Sequence, residues 1–150
     1  MSTHHCLLYH IVFSVKHRKP LLRKTELRTS VWSYMAGVVK NVEGFALEVG
    51  GFEDHAHLLV RIPTKLAVAD FVKKVKSNTS NHINNVQPRG FDFHWQDGYG
   101  AFTVSQSQKD QVAHYIQNQV EHHRKMSFKE EYLRFLKRHE VDYDPERLWS

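Results

Sequence analysis

Positions 53–62 have the sequence Glu53-Asp54-His55-Ala56-His57-Leu58-Leu59-Val60-Arg61-Ile62. The alternation of this segment predicts a β-strand that turns four apolar side chains to one face, namely Ala56, Leu58, Val60 and Ile62. His55 and His57 then stand side by side on the other face, where two imidazoles could bind the same metal ion. The chain has 12 histidines, so the pair could equally be two ordinary half-exposed side chains. A His-x-His motif alone is therefore a weak indication of a metal site.

Three elements are predicted before this segment. They are a strand at 7–16, a helix at 25–42 that follows a Thr25 cap and ends at Gly44, and a strand with Phe45, Leu47 and Val49 on one face. The first strand carries apolar side chains on both of its faces, which indicates a central position in a sheet. The last strand lies close enough to residues 53–62 to form a hairpin with them.

The chain after the histidine segment predicts helices and one further extended region. In order these are a helix at 66–86, extended chain at 91–95 and 99–105, a helix opened by a Ser107–Asp110 capping box, a helix capped by Ser127, and an irregular arm at 141–149. Tyr115 and Gln119 lie four residues apart on the predicted helix that follows Asp110, so their side chains project together.

The order strand, helix, strand, strand, helix, strand indicates an α+β ferredoxin-like sandwich with a split βαβ antiparallel sheet. We expect residues 1–150 to form one domain with a C-terminal helical tail at 124–150. In this arrangement His55 and His57 lie on a central strand, and the helix after the last strand can place Tyr115 across the same sheet face.

The composition indicates a folded protein outside the secreted and membrane classes. Hydrophobic residues make up 41% of the chain and aromatic residues 12%, as in globular domains. Cys6 is the only cysteine, so neither an internal disulfide nor a cysteine zinc cluster is expected. No signal peptide and no apolar run of about 18 residues or more is present, which predicts a cytoplasmic protein.

The net charge of +5 and a pI near 9.4 favour an anionic partner, with nucleic acid first. Two groups of basic residues could contact phosphates: Lys16 and Arg18 near the end of the first strand, and Lys73, Lys74 and Lys76 on the exposed arc of the 66–86 helix. Each group could equally be an ordinary solvated surface.

Four sequence blocks carry a resemblance to a known family. They are His10–Ser14 with Lys16 and Arg18, Asp54–Leu59, Trp95–Phe102 and Tyr115–His123. With these blocks the chain resembles the insertion-sequence-200-like transposases, the single-tyrosine members of the HUH nuclease superfamily. The resemblance covers nearly the whole chain.

The resemblance implies a role for four residues. His55 and His57 correspond to the histidine ligands of a divalent metal, Mg²⁺ or Mn²⁺; Gln119 corresponds to the third ligand and Tyr115 to the nucleophile. Ala56 is smaller than the residue often found between the two histidines. Since its side chain faces away from the predicted metal, we expect this departure to change packing more than chemistry.

The activity that the resemblance implies is cleavage and rejoining of single-stranded DNA through a 5′-phosphotyrosine intermediate. The implied substrates are hairpin-bearing ends of a mobile element, in the cytoplasm of a bacterium or archaeon near the nucleoid. The family also implies a homodimer in which the tyrosine helix of one subunit completes the histidine site of the other, with Ser105–Ser107 as the hinge.

Three other functions are compatible with parts of the sequence. The protein could be a non-catalytic binder of single-stranded or hairpin nucleic acid, since ferredoxin-like sheets stack bases on aromatic side chains. It could be a metal-dependent hydrolase in which water takes the place of Tyr115. The histidine pair and Tyr115 could also be unrelated residues that never meet.

Overall fold

The computed structural model describes residues 1–150 and contains four strands and five α-helices. They are β1 Leu8–Ser14, α1 Thr25–Asn41, β2 Phe45–Phe52, β3 His55–Arg61, α2 Val68–Val86, β4 Gly100–Val104, α3 Lys109–Gln117, α4 Gln119–His122 and α5 Phe128–Arg138. None of the helices combines the length and the apolar character that crossing a membrane requires.

The four strands form one antiparallel sheet in the order β2-β3-β1-β4. This order confirms the predicted ferredoxin-like α+β fold and the central position of β1. The β2–β3 hairpin is also confirmed. In the pairing of β1 with β3, Val12 lies opposite His57 and Ser14 opposite His55, so the histidine pair is in the middle of the sheet.

The two faces of the sheet have different partners. The face that carries Ala56, Leu58 and Val60 packs against α1 and α2 in a cluster of 19 buried hydrophobic residues. The opposite face carries His10, His55 and His57 and is covered by the chain after β4. Since successive residues of a strand point to opposite faces, one short strand builds both the core and the polar site.

The covering layer is held by a smaller apolar cluster around α5. Its buried members are Val12, Phe102, Phe128, Phe135 and Leu136. The apolar side of α5 therefore packs on the face of the sheet next to the histidines. From the C-terminal arm, Leu148 and Trp149 pack against this cluster, whereas Tyr143 is exposed.

Strand β2 departs from its predicted alternation. Its register with β3 shifts between Ala46 and Glu48, as a β-bulge does when one strand carries an extra residue. Ala46 and Val49 consequently pack against the core, and Phe45 is 59% exposed. The prediction that Phe45, Leu47 and Val49 share one face is wrong because the bulge interrupts the alternation.

Three helix starts test the predicted caps. The Thr25 cap is wrong, because Lys24 precedes α1 and offers no side-chain hydrogen bond. Ser107 does not cap α3 either, since its hydroxyl bonds to Ser105 within the short turn at 106–108. The Ser127 cap is confirmed, as its Oγ accepts a hydrogen bond from the Glu130 amide at 3.2 Å.

The helix predicted to carry both Tyr115 and Gln119 is broken. Residue Asn118 has φ −97° and ψ 19°, outside helical values, so Tyr115 lies near the end of α3 and Gln119 begins α4. The extended region at 91–95 also differs, because it contributes one isolated bridge between Trp95 and Val15. Trp95 is buried in the core, and the neighbouring ring of Tyr99 is partly exposed.

We predict that replacing glycine by alanine has opposite effects on stability at two positions. Gly51 has φ +151°, and a Cβ there would collide with the carbonyl oxygen of His55. Gly37 lies in α1, where an added Cβ would meet no neighbouring atom within 4 Å. We expect Gly51→Ala to lower the free energy of unfolding by about 1–3 kcal/mol and Gly37→Ala to raise it by about 0.5–1 kcal/mol. Urea denaturation measures both; equal effects would contradict the described geometry.

Candidate active site

The two histidines of β3 are fully buried, and each has a hydrogen-bond partner at its Nδ1 atom. The Nδ1 atom of His55 lies 2.7 Å from Asp54 Oδ1, and Nδ1 of His57 lies 2.8 Å from Nε2 of His10 on β1. Partners on the far nitrogen fix the orientation and the tautomer of a ligand imidazole. Both Nε2 atoms therefore point into the layer formed by α4 and α5.

The structure brings Gln119 to the histidine pair despite the break in the helix. Its Oε1 atom lies 2.8 Å from His55 Nε2. The amide nitrogen of the same side chain donates to Glu131 Oε2 at 3.0 Å. Gln119 is 1% exposed, so the whole amide lies inside the site.

Glu131 on α5 is the central residue of the cluster, and sequence reasoning missed it. Its Oε1 atom lies 2.9 Å from His57 Nε2 and 3.5 Å from His55 Nε2. The carboxylate is 2% exposed. The sequence does contain a signal, because Glu131 falls at helical spacing between Phe128 and Phe135 on the inward side of α5.

His123 is a second residue of the site without a predicted role. Its Nδ1 atom donates to the carbonyl of Met126 at 2.7 Å. Its Nε2 atom lies 2.9 Å from Gln119 Oε1 and 3.4 Å from Glu131 Oε2. The residue belongs to the Tyr115–His123 block, but nothing in its spacing distinguishes it from His122.

Tyr115 lies at the edge of the same cluster. Its hydroxyl donates a short hydrogen bond to Glu131 Oε2 and lies 3.2 Å from His122 Nε2. Its ring centroid is 5.9 Å from that of His57. The side chain is half-buried. Tyr115, Gln119, His55 and His57 thus meet within one chain.

Burial controls the protonation of the cluster. It lowers the pKa of His57, whose imidazole is fully enclosed, and together with the nearby His57 it lowers the pKa of His10 well below the usual value. Burial and the adjacent Glu131 carboxylate raise the pKa of Tyr115 far above that of a free phenol. The phenol of Tyr115 is therefore held protonated.

The carboxylate of Glu131 remains ionised although it is buried. Burial alone would raise its pKa, but the charge and hydrogen bonds of His57 and His123 outweigh this effect and lower the pKa. In return, Glu131 outweighs the effect of burial on His123 and raises the pKa of that imidazole. The site therefore places one carboxylate, held ionised, among imidazole and amide groups.

The donor atoms of this cluster fit a cation. Because His55 Nδ1 donates to Asp54, a neutral His55 has a lone pair on Nε2, which faces the acceptor Oε1 of Gln119 at 2.8 Å. Two acceptors repel at this distance unless a proton or a cation lies between them. Adjacent ligands of an ion with bonds of about 2.1 Å lie about 3 Å apart, which matches the separations described above.

The wider group of possible ligands is compact. One donor atom from each of its four members lies within 4.8 Å of the others, and the members are His55, His57, His123 and Glu131. Imidazole and carboxylate donors suit several divalent ions, including manganese and zinc. The residues present therefore fit a divalent metal.

The predicted phosphate-contacting residues lie away from this cluster. Lys73 and Lys74 are exposed on α2, which packs on the opposite face of the sheet. Lys76 is not on the exposed arc as predicted, because its Nζ donates to the carbonyls of Gln96 and Gly98 at 2.6 and 2.8 Å.

The two basic residues after β1 have different surroundings. Lys16 is exposed. The guanidinium of Arg18 lies 5.0 Å from the ring centroid of Trp149, a cation–π contact that holds the arm against the fold. Neither residue lies in the histidine cluster.

Residues 3–119 match the family described as "Transposase IS200 like". The chain belongs to this family. The transposase for insertion sequence element IS200 of Salmonella typhimurium is 31% identical over 121 residues, which cover 75% of this chain and 76% of that protein. The ISDra2 transposase TnpA of Deinococcus radiodurans is 27% identical over 121 residues, covering 75% of this chain and 84% of that one.

Two solved structures share the fold of this transposase. One is a crystal structure of a Deinococcus radiodurans protein assigned as a transposase, with a TM-score of 0.62, 22% identity and coverage of 79% of this chain and 95% of that one. The other is a REP-associated tyrosine transposase bound to a REP hairpin, with a TM-score of 0.58, 13% identity and coverage of 81% and 74%.

The family match ends at Gln119. It therefore includes His55, His57, Tyr115 and Gln119, whereas His123 and the whole of α5 with Glu131 lie beyond it. In this transposase, four residues of the matched segment therefore contact His123 and α5, which lie outside that segment.

Proposed function

We propose that this transposase cleaves and rejoins single-stranded DNA with Tyr115 as the nucleophile and a 5′-phosphotyrosine intermediate. The observation that carries the proposal is the convergence of the Tyr115 hydroxyl and the Gln119 amide with the imidazoles of His55 and His57. These groups come from three separate elements, α3, α4 and β3.

We further propose that the site binds Mg²⁺ or Mn²⁺ through His55, His57 and Gln119, with Oε1 of Glu131 as an additional anionic ligand. A divalent cation at such a site withdraws charge from a phosphodiester and orients it for in-line displacement. With a proton on Nδ1 of each imidazole, donated to Asp54 by His55 and to His10 by His57, each Nε2 would present its lone pair to the cation.

The proposed cleavage step forms one bond to phosphorus and breaks another. The Tyr115 oxygen forms a bond to phosphorus, and the bond from phosphorus to the 3′ oxygen of the preceding nucleotide breaks. The phenol must lose its proton during the attack, and Oε2 of Glu131 already accepts that hydrogen bond. The leaving 3′ oxygen takes up a proton from solvent, and attack by another 3′-hydroxyl on the phosphotyrosine rejoins the strands without ATP.

The proposed substrate is single-stranded DNA with hairpin ends. The net charge of +5 favours a polyanion, and one structural relative is bound to a REP hairpin. A non-catalytic hairpin binder is the second candidate, because binding requires only the basic surface and the fold.

The first prediction concerns the nucleophile. Incubated with hairpin-bearing single-stranded DNA and Mn²⁺, the protein should form a denaturant-resistant adduct that Tyr115→Phe abolishes while folding and DNA binding are kept. Tyr99→Phe is the matched control, since Tyr99 is exposed and lies outside the cluster. Cleavage that persists in Tyr115→Phe would indicate a hydrolase that uses water; tight binding by the wild type without any adduct would indicate the non-catalytic binder.

The second prediction concerns the metal. Glu131→Gln removes the anionic ligand but keeps the size of the side chain, and we expect it to weaken Mn²⁺ binding by more than about tenfold, measured by titration calorimetry on the DNA-free protein. Glu130→Gln is the control, because Glu130 is the exposed neighbour on the same helix. Equal Mn²⁺ affinity in both variants would remove Glu131 from the ligand set.

The third prediction concerns whether one chain or two chains supply the residues of the site. We propose that one chain assembles it, because Tyr115 and Gln119 contact Glu131 in the same chain that supplies His57. A mixture of Tyr115→Phe and His57→Ala should then remain inactive in adduct formation. The homodimer with exchanged tyrosine helices stays a prediction of the resemblance, and recovery of activity in the mixture would support it.

A further inference from the structure

Helix α5 and its neighbours enclose a cavity of about 430 Å³ next to Tyr115. A wider depression of about 740 Å³ lies beside it. Both are bordered by Tyr115, Gln111, His122, Met126 and Arg134. The phenol therefore stands at the junction of two adjoining spaces. We name the pair of spaces the Tyr115 groove.

The Tyr115 groove carries unpaired positive charge. Arg134 lines both spaces, and Arg138, one turn further along α5, lines the cavity. Both side chains are exposed, and neither takes part in the ion pairs of the chain. Two guanidinium groups at this spacing offer several donors to phosphate oxygens.

The acidic groups near the groove do not neutralise these arginines. Glu131 lies at the bottom of the cavity, but its oxygens are already occupied by His57, Gln119 and Tyr115. Glu121 borders the wider space and lies 3.4 Å from its own partner, Arg124. An approaching anion therefore meets the uncompensated charge of Arg134 and Arg138.

The remaining polar lining suits a backbone more than a particular base. Gln108, Gln111 and Thr103 offer amide and hydroxyl groups along the cavity wall. Such groups commonly bond to phosphate and sugar oxygens, contacts that fix the register of a strand without reading its sequence. The lysines of α2 lie on the other face of the sheet, too far round the fold to hold a strand at Tyr115.

We propose that the Tyr115 groove is the path of the single-stranded DNA and that Arg134 and Arg138 bind backbone phosphates next to the scissile one. This inference rests on the proposed function, because it places the strand by the position of the nucleophile. It also assigns a role to α5, which lies beyond the segment that matches the family. The positive groups that position the DNA are then supplied by the C-terminal helix.

The test measures binding of a fluorescent deoxythymidine homopolymer over a range of salt concentrations, with a chelator present to remove metal-mediated contacts. Each protein–phosphate contact on single-stranded DNA contributes about 0.7 to the slope of log K against log salt. We expect Arg134→Gln/Arg138→Gln to reduce the magnitude of this slope by about 1.4. Lys73→Gln/Lys74→Gln is the control, since it removes the same charge from the opposite face of the sheet, and its slope should equal that of the wild type.

An unchanged slope in the arginine variant, or equal losses in both variants, would overturn the assignment. Circular dichroism verifies that each variant is folded. A separate assay of adduct formation with hairpin DNA tests the proposed chemistry independently of the salt dependence of binding. An adduct in the wild type together with an unchanged arginine slope rejects the groove alone. A reduced slope without an adduct in the wild type supports the groove as a DNA-binding surface but rejects the nuclease and, with it, the placement beside a scissile phosphate.

Discussion

The contact between the Glu131 carboxylate and the imidazoles of β3 is the interaction on which the layer above the sheet depends. A buried carboxylate without partners is strongly unfavourable, since leaving a buried polar group unpaired costs about 1–3 kcal/mol and a charged one more. Glu131 lies 2.9 Å from His57 and is 2% exposed. The contact therefore favours the register of α5 that brings this carboxylate to the histidines, the same register in which Phe128, Phe135 and Leu136 are buried.

The sheet supplies the other half of this constraint. In β3, Ala56, Leu58 and Val60 lie on the α1–α2 side, and His55 and His57 lie on the α3–α5 side. A shift of one residue in the β1–β3 pairing would turn the histidines into the hydrophobic core. The burial of Ala56, Leu58 and Val60 consequently fixes the face of the sheet on which the imidazoles of His55 and His57 lie.

The sequence predicts the features that depend on local periodicity. Strand alternation indicated the two faces of β1 and β3, and the order of elements indicated the ferredoxin-like sheet. Strand alternation and helical spacing do not predict the β2 bulge or the helix break at Asn118, because both are departures from regular periodicity. The close approach of β2 and α3 is a long-range feature of the same kind, since a Cβ at Gly50 would lie 2.9 Å from Ile116.

The residues of the site also include some that the sequence predicts and some that it does not. His55, His57, Tyr115 and Gln119 were predicted from the resemblance to the family, and the structure brings them together. Helical spacing places Glu131 on the inward side of α5, but neither it nor His123 can be assigned to this cluster without the path of the chain between Gln119 and α5. For Lys76 the prediction was wrong in the other direction. Helical spacing predicts a solvent-exposed ammonium, but the flexible side chain reaches the carbonyls of Gln96 and Gly98.

The burial gradient across the site indicates how reactivity is restrained. His55, His57 and Gln119 are 0–1% exposed, whereas Tyr115 borders the groove. Burial and the Glu131 carboxylate hold the pKa of the phenol high, so the free protein keeps Tyr115 protonated. A cation beside the carboxylate would favour the ionised phenol, because nearby positive charge lowers the pKa of an acid. Ionisation of Tyr115 would thus be coupled to cation binding in the cluster through the hydrogen bond between its hydroxyl and Glu131.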